Sequence, residues 1–168
     1  MKSKDCENFY FSYNDRMKKL IWLYLLFAPL AMAKVTVVDG DSFEIDGSRI
    51  RLDGIDAPEF FQMCSDSKGK EYECGQVSKN YLQNLVSAHE VQCQCLPETD
   101  KYKRKVCECF ANKISLNRTM ISSGHARAYR SEKYEEDEKA AAQNYRGIWQ
   151  GKHMRPALYR ILHRRTKK

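Results

Sequence analysis

The chain has 168 residues, of which 42% are hydrophobic and 30% are charged, and its formal net charge is +7. This length leaves room for one domain with a single modest core, so we expect no second domain. The positive balance suits a polyanionic partner, although many proteins that bind no nucleic acid share it.

The first 33 residues are typical of an export signal. A basic segment at residues 17–19 precedes an apolar run at residues 20–33, which ends in Ala-Met-Ala, the pattern of a cleavage site. We therefore expect residues 1–33 to be a signal peptide, with Met17 as an alternative translation start, and the mature chain to be periplasmic or secreted. The run contains Pro29 and is shorter than the roughly 20 residues of a spanning helix, so we expect no stable membrane insertion.

The mature chain begins with strand patterns. Residues 35–37, 43–45 and 50–52 alternate apolar with polar side chains and are separated by Asp-Gly dipeptides, which favour tight turns. These runs predict a three-stranded meander. Residues 91–95 and 106–110 have the same alternation and predict a hairpin.

Helical spacing follows in three segments, at residues 75–88, 115–123 and 132–146, the last two ending at glycine. The basic tail, residues 155–168, is expected to fray, which leaves residues 34–154 as the domain. Five short strands with about three packed helices predict an α+β fold, an OB-type Greek-key barrel, whose face and loops often bind oligonucleotides.

Six of the seven cysteines follow the export signal, and an oxidising compartment favours disulfides. If the hairpin turns near residues 100–101, antiparallel register sets two cysteine pairs directly opposite each other. The expected disulfides are Cys93 with Cys109, Cys95 with Cys107, and Cys64 with Cys74. The alternative, in which the four hairpin cysteines are thiolate ligands of zinc, requires a reducing compartment.

Two segments, residues 39–42 and 51–59, concentrate polar side chains where strands meet turns. Asp41 and Asp56, together with the Ala57 carbonyl and water, are the oxygen ligands that calcium prefers. So few protein ligands predict a weak and open calcium site.

Residues beside this expected metal site carry the catalytic chemistry. Glu59, just past Pro58, is placed to take a proton from an attacking water. Arg51 lies between Ile50 and Leu52, so strand alternation points it to the outer face, where its guanidinium can clamp a phosphate. Because both side chains are expected to face solvent, their replacement should leave the fold intact.

The turn of the predicted hairpin carries a second set of cations. Arg104 is expected to stabilise the charge that develops during phosphoryl transfer. Lys101 and Tyr102 are expected to bind substrate, the tyrosine by stacking on a base. Taken singly, each of these residues is an ordinary turn or surface residue, as is each aspartate beside a glycine. Their combination favours phosphodiester cleavage.

Four motifs together resemble the signatures of the staphylococcal nuclease family: DGDS at residues 39–42, RLDGIDAPE at 51–59, DKYKR at 100–104 and GIWQG at 147–151. The resemblance covers residues 34–160. It implies an OB barrel that cleaves DNA and RNA with calcium as cofactor. It also implies the residue roles given above: Arg51 and Arg104 on the phosphate, Glu59 as base, and Asp41, Asp56 and the Ala57 carbonyl on the metal.

The sequence departs from the family pattern at three positions. Ser42 and Ala57 replace threonines, and Lys103 replaces a glycine whose positive φ the turn requires. A second function class stays open, a non-catalytic OB module that binds nucleic acid or protein. A third is a zinc- or disulfide-stapled structural protein of the envelope. For the nuclease we expect a monomer.

Overall fold

The computed structural model describes residues 34–87 and 89–164. The ten strands in this part of the chain are β1 (Val35–Asp39), β2 (Ser42–Ile45), β3 (Ser48–Leu52), β4 (Ile55–Asp56), β5 (Cys64–Ser65), β6 (Glu71–Tyr72), β7 (Val91–Thr99), β8 (Lys105–Ala111), β9 (Ile114–Ser115) and β10 (Arg127–Ala128). Its four helices are α1 (Cys74–Ser87), α2 (Leu116–Ser122), α3 (Glu135–Gln143) and α4 (Pro156–Arg164), with 3₁₀ turns at Glu132–Tyr134 and Gly147–Gln150. The expected signal peptide, with its alternative start at Met17, lies outside the described residues.

The longer strands form one mixed sheet in the order β1-β2-β3-β8-β7, with β9 beside β8. Neighbouring strands are antiparallel except β3 and β8, which run parallel. In the β2–β3 turn, Asp46 has φ 47° and Gly47 has φ 79°, the paired positive values that a tight hairpin requires. The predicted meander, the predicted hairpin and the α+β OB-type class are confirmed.

The core lies between this sheet and the helices. Phe43, Ile50 and Leu52 point inward and are at most 4% exposed, as the alternation predicts. Helix α1 packs against β1 at Gly40, where a Cβ would collide with the fully buried Ser78 hydroxyl. This close approach fixes the turn between β1 and β2.

All three predicted disulfides are present. In the β7–β8 hairpin, the bonded pairs Cys93–Cys109 and Cys95–Cys107 are register partners, with Cα atoms 4.1 Å and 4.0 Å apart. The third disulfide, Cys64–Cys74, joins β5 to the start of α1. Since these cysteines are bonded to one another, the alternative of a zinc site with four thiolates is wrong.

The C-terminal segment differs from the expectation, because α4 forms where a frayed tail was predicted. Pro156 begins the helix, a position where its fixed φ and missing N–H cost nothing, and the residue is fully buried. The buried Gln62 side chain donates to the Met154 carbonyl at 2.7 Å, and the Tyr159 hydroxyl donates to the Phe61 carbonyl at 3.1 Å. The segment is therefore docked on the loop after Glu59. Among the described helices, none is long and apolar enough to cross a bilayer.

Candidate active site

Two buried carboxylates meet where the β1–β2 turn approaches the end of β4. Asp41 and Asp56 are each 3% exposed. The backbone amide of Ala57 donates to Asp41 Oδ2 at 3.1 Å, and the backbone amide of Leu52 donates to the Asp41 carbonyl at 2.8 Å. The structure thus brings Asp41 to Asp56 and Ala57, which lie in a separate segment of the sequence.

Asp39 shapes the turn that presents Asp41. Its Oδ1 accepts hydrogen bonds from the Ser42 hydroxyl at 2.6 Å and from the backbone amide of Asp41 at 3.2 Å. Burial, followed by the charge of Asp41, raises the pKa of Asp39 to about 7, while the hydrogen bond from Ser42 opposes the rise. Asp39 is the first residue of the DGDS motif, but its role in the turn was not predicted from the sequence.

Arg51 lies between the two buried carboxylates. Its guanidinium pairs with Asp41 and with Asp56, the latter at 3.3 Å, and also donates to the Ile55 carbonyl at 2.9 Å. Burial disfavours the charged form, but the carboxylates of Asp41 and Asp56 outweigh it and raise the pKa of Arg51 above its ordinary value. Strand alternation does turn Arg51 away from the core, yet its side chain is only 15% exposed. The expectation of a solvent-facing Arg51 is therefore wrong.

Glu59 belongs to the same constellation through an arginine that sequence reasoning missed. Arg160, on α4, donates from Nη1 to Glu59 Oε1 at 2.6 Å and to Asp56 Oδ1 at 2.9 Å. Its Nη2 donates to Asp56 Oδ2 at 3.2 Å. Burial opposes the charged form, but these hydrogen bonds raise the pKa of Arg160 well above its ordinary value. The only sequence signal was the basic character of the tail, which does not single out position 160.

Arg104 ends the turn before β8, and its ion pair in the described part of the chain is with Asp100 rather than with this cluster. Its guanidinium pairs with Asp100, at 2.8 Å from Nε and 2.7 Å from Nη2. Burial disfavours ionisation of Asp100, but hydrogen bonds from Arg104 and from the backbone amide of Tyr102 lower its pKa. Arg49 on β3 donates to the Tyr102 carbonyl and so ties this loop to the strand that carries Arg51.

Tyr102, in the turn that carries Arg104, has an accessible aromatic ring, with 45% of its surface exposed. Lys101 Nζ lies 5.1 Å from the ring centroid, and the Arg104 guanidinium lies 5.3 Å from it. An exposed ring flanked by two cations has the chemistry to stack on a base and to attract the adjacent phosphates.

Lys103 keeps the backbone conformation that the family glycine provides, because its φ is 61°. This left-handed conformation costs a residue with a Cβ about 1–2 kcal/mol, and β-branched side chains suffer most. Lys103→Val should therefore lower the free energy of unfolding by about 1–2 kcal/mol, whereas Lys103→Gly should leave it unchanged or slightly higher. Urea denaturation measures both values.

Lys101→Val is the matched control for the same turn, because Lys101 is not among the residues with positive φ. We expect it to change the unfolding free energy by less than about 0.5 kcal/mol. Equal losses in the two valine variants would contradict the claim that residue 103 is strained by its backbone.

The chain is similar in sequence to a known protein family and to a bacterial relative. A family model described as staphylococcal nuclease homologue matches residues 49–151. The succinoglycan biosynthesis protein ExoI of Rhizobium meliloti (strain 1021) is 36% identical over 123 residues, which are 70% of this chain. The same stretch is 64% of that relative's length, so the chain spans less than two thirds of it. The family match includes Arg51, Asp56 and Glu59, while Asp41 and Arg160 lie outside it.

Proposed function

This chain belongs to the staphylococcal nuclease family, and from that premise we propose that it is a calcium-dependent endonuclease that hydrolyses phosphodiester bonds of DNA, RNA or both. One observation carries the proposal: the buried carboxylates of Asp41 and Asp56 hold Arg51, and Arg160 joins Asp56 to the partly exposed Glu59. Oxygen ligands, a fixed phosphate clamp and a base are the three parts that metal-assisted phosphodiester hydrolysis requires.

The donor set fits a calcium ion. Asp41 and Asp56 supply hard carboxylate oxygens, the Ala57 carbonyl supplies a third oxygen, and water would complete the shell. The described residues contain no group of three or more acidic, histidine or cysteine side chains arranged as a metal cage. The proposed site is a weak and open one, formed by two carboxylates and one carbonyl. When bound, the ion supplies positive charge that polarises a phosphate oxygen.

The remaining chemistry belongs to side chains of the protein. Arg51, held from both sides by Asp41 and Asp56, presents a preorganised guanidinium to a phosphate, and little reorganisation is required on binding. Glu59 takes the proton of the attacking water, for which it has 34% of its side chain exposed. Arg104 is the second cation and reaches the substrate from the loop that its ion pair with Asp100 orders.

Nucleic acid is the proposed partner, with Lys101 and Tyr102 as contacts along the strand. We also propose that the chain acts as a monomer. We propose export to the periplasm or medium, because the sequence before residue 34 has the pattern of a signal peptide and three disulfides follow it.

Metal removal tests the calcium requirement. Excess chelator should abolish cleavage of single-stranded DNA, double-stranded DNA and RNA by the purified protein. The chelator removes the calcium ion, whose positive charge would polarise the phosphate. Added calcium should restore the rate, and magnesium should restore it poorly because it demands tighter octahedral geometry. Cleavage is measured on labelled oligonucleotides. An undiminished rate in chelator would rule out the metal.

The runner-up function is a non-catalytic OB module that binds nucleic acid or protein. The name of the Rhizobium meliloti relative refers to biosynthesis and not to cleavage. This alternative predicts that the purified chain retains labelled oligonucleotides without shortening them. The cleavage assay therefore separates the two functions directly.

A further inference from the structure

Arg160 binds the oxygens on which the proposed chemistry depends. Its guanidinium contacts both carboxylate oxygens of Asp56, at 2.9 Å and 3.2 Å, and one oxygen of Glu59, at 2.6 Å. Asp56 is a proposed calcium ligand and Glu59 is the proposed base. A cation bonded to both carboxylates competes with a metal ion for the first and occupies an oxygen of the second that the attacking water would need.

In the described part of the chain, Asp41, Asp56 and Glu59 form ion pairs with two arginines, Arg51 and Arg160. Asp41 and Asp56 are nearly fully buried, and Arg51 neutralises only part of their charge. Arg160 supplies the remaining contact to Asp56, and 29% of its side chain is exposed. A buried carboxylate requires a nearby cation. Arg160 supplies that cation to Asp56 here, as a calcium ion would when bound.

Helix α4 is attached to the rest of the domain by few apolar contacts. Leu158, Ile161 and Leu162 are 46%, 55% and 42% exposed, so the helix buries little apolar surface. It is fixed mainly at its start, by the buried Pro156 and by the bond from Gln62 to the Met154 carbonyl. Farther along, the Tyr159 hydroxyl donates to the Phe61 carbonyl, and Arg160 donates to Asp56 and Glu59. The Arg160 side chain is itself 29% exposed, so an ion from solvent can reach its contacts with Asp56 and Glu59.

We propose that α4 is a built-in lid: Arg160 closes the site in the metal-free protein, and calcium opens it by displacing the guanidinium from Asp56 and Glu59. This inference rests on the proposed function, because it assumes that Asp56 binds calcium and that Glu59 must be free to act as a base. The lid keeps an exported nuclease inactive until it meets calcium.

Calcium affinity of the full chain, measured by isothermal titration calorimetry, tests the lid without reference to turnover. If Arg160 closes the site in at least nine of ten molecules, Arg160→Gln should tighten the calcium Kd by about tenfold or more. Arg155→Gln is the matched control, because it removes the same charge from an exposed side chain of the same segment that makes no ion pair among the described residues. We expect its Kd to stay within about twofold of the wild-type value.

Hydrogen exchange gives the second measurement. In the wild-type protein, calcium should raise amide exchange in residues 156–164 and leave exchange in the main sheet unchanged. Equal calcium affinities for Arg160→Gln, Arg155→Gln and the wild type, or unchanged exchange in α4, would overturn the lid and leave the proposed function standing. Failure of all three proteins to bind calcium would instead remove the metal site, and with it both proposals.

Discussion

Arg51→Ala is expected to lower kcat/KM for nucleic acid by about 10³-fold or more, because an arginine that stabilises the charge of phosphoryl transfer contributes at least that much. Its guanidinium is fixed in position by ion pairs with Asp41 and Asp56. Arg51→Lys is the sharper control. It keeps the charge but loses the bidentate fork, and should recover only a small part of the activity.

Arg51→Ala should also be less stable than the wild type. Strand alternation had predicted a solvent-facing Arg51 whose replacement leaves the fold intact. Without the guanidinium, Asp41 is left as a buried carboxylate, its side chain 5% exposed, with no ion pair among the described residues, whereas Asp56 keeps its ion pair with Arg160. Removing one partner of such a pair costs about 3 kcal/mol or more. We therefore expect Arg51→Ala to melt at a lower temperature in chelator and to recover part of that loss in calcium. Near-normal turnover in the folded variant would refute the phosphate role of Arg51.

Glu59→Gln is expected to lower kcat by about 10²- to 10⁴-fold, because glutamine cannot accept the proton of the attacking water. Glu59 is one-third exposed, so the fold should be intact, and KM should change much less than kcat. Steady-state cleavage of a defined oligonucleotide measures both constants.

Glu90→Gln is the matched control for that variant, since Glu90 is exposed and lies outside the cluster. Its kcat should equal the wild-type value. If Glu59→Gln also kept a wild-type kcat, Glu59 would not be the base, and the account of proton transfer would be wrong.

The sheet was predictable because local patterns determine it. Alternation places Phe43, Ile50 and Leu52 inward, and each strand buries the residues that its period of two selects. The hairpin disulfides followed from register alone, since one turn position sets every opposing pair. The β-turn glycine at position 47 likewise reflects a requirement that lies within a few residues of sequence.

The contacts of α4 were not predictable, because they join residues about 100 positions apart. The bonds from Arg160 to Asp56 and Glu59 span 104 and 101 residues. No periodicity specifies which arginine of a basic tail reaches a distant carboxylate. The burial of Arg51 escaped prediction for a related reason: alternation gives the face of the sheet, but not what covers that face.

The central claim is that this chain is an enzyme that cleaves nucleic acid and not only a module that binds it. The most direct test is the cleavage rate of a single-stranded DNA oligonucleotide in calcium. The wild-type protein is compared with an Arg51→Ala/Glu59→Gln double variant purified in parallel. We expect the wild type to shorten the oligonucleotide and the double variant to cleave it only at the background rate. Equal rates in the two preparations, or binding of the oligonucleotide by the wild type with no cleavage, would contradict it.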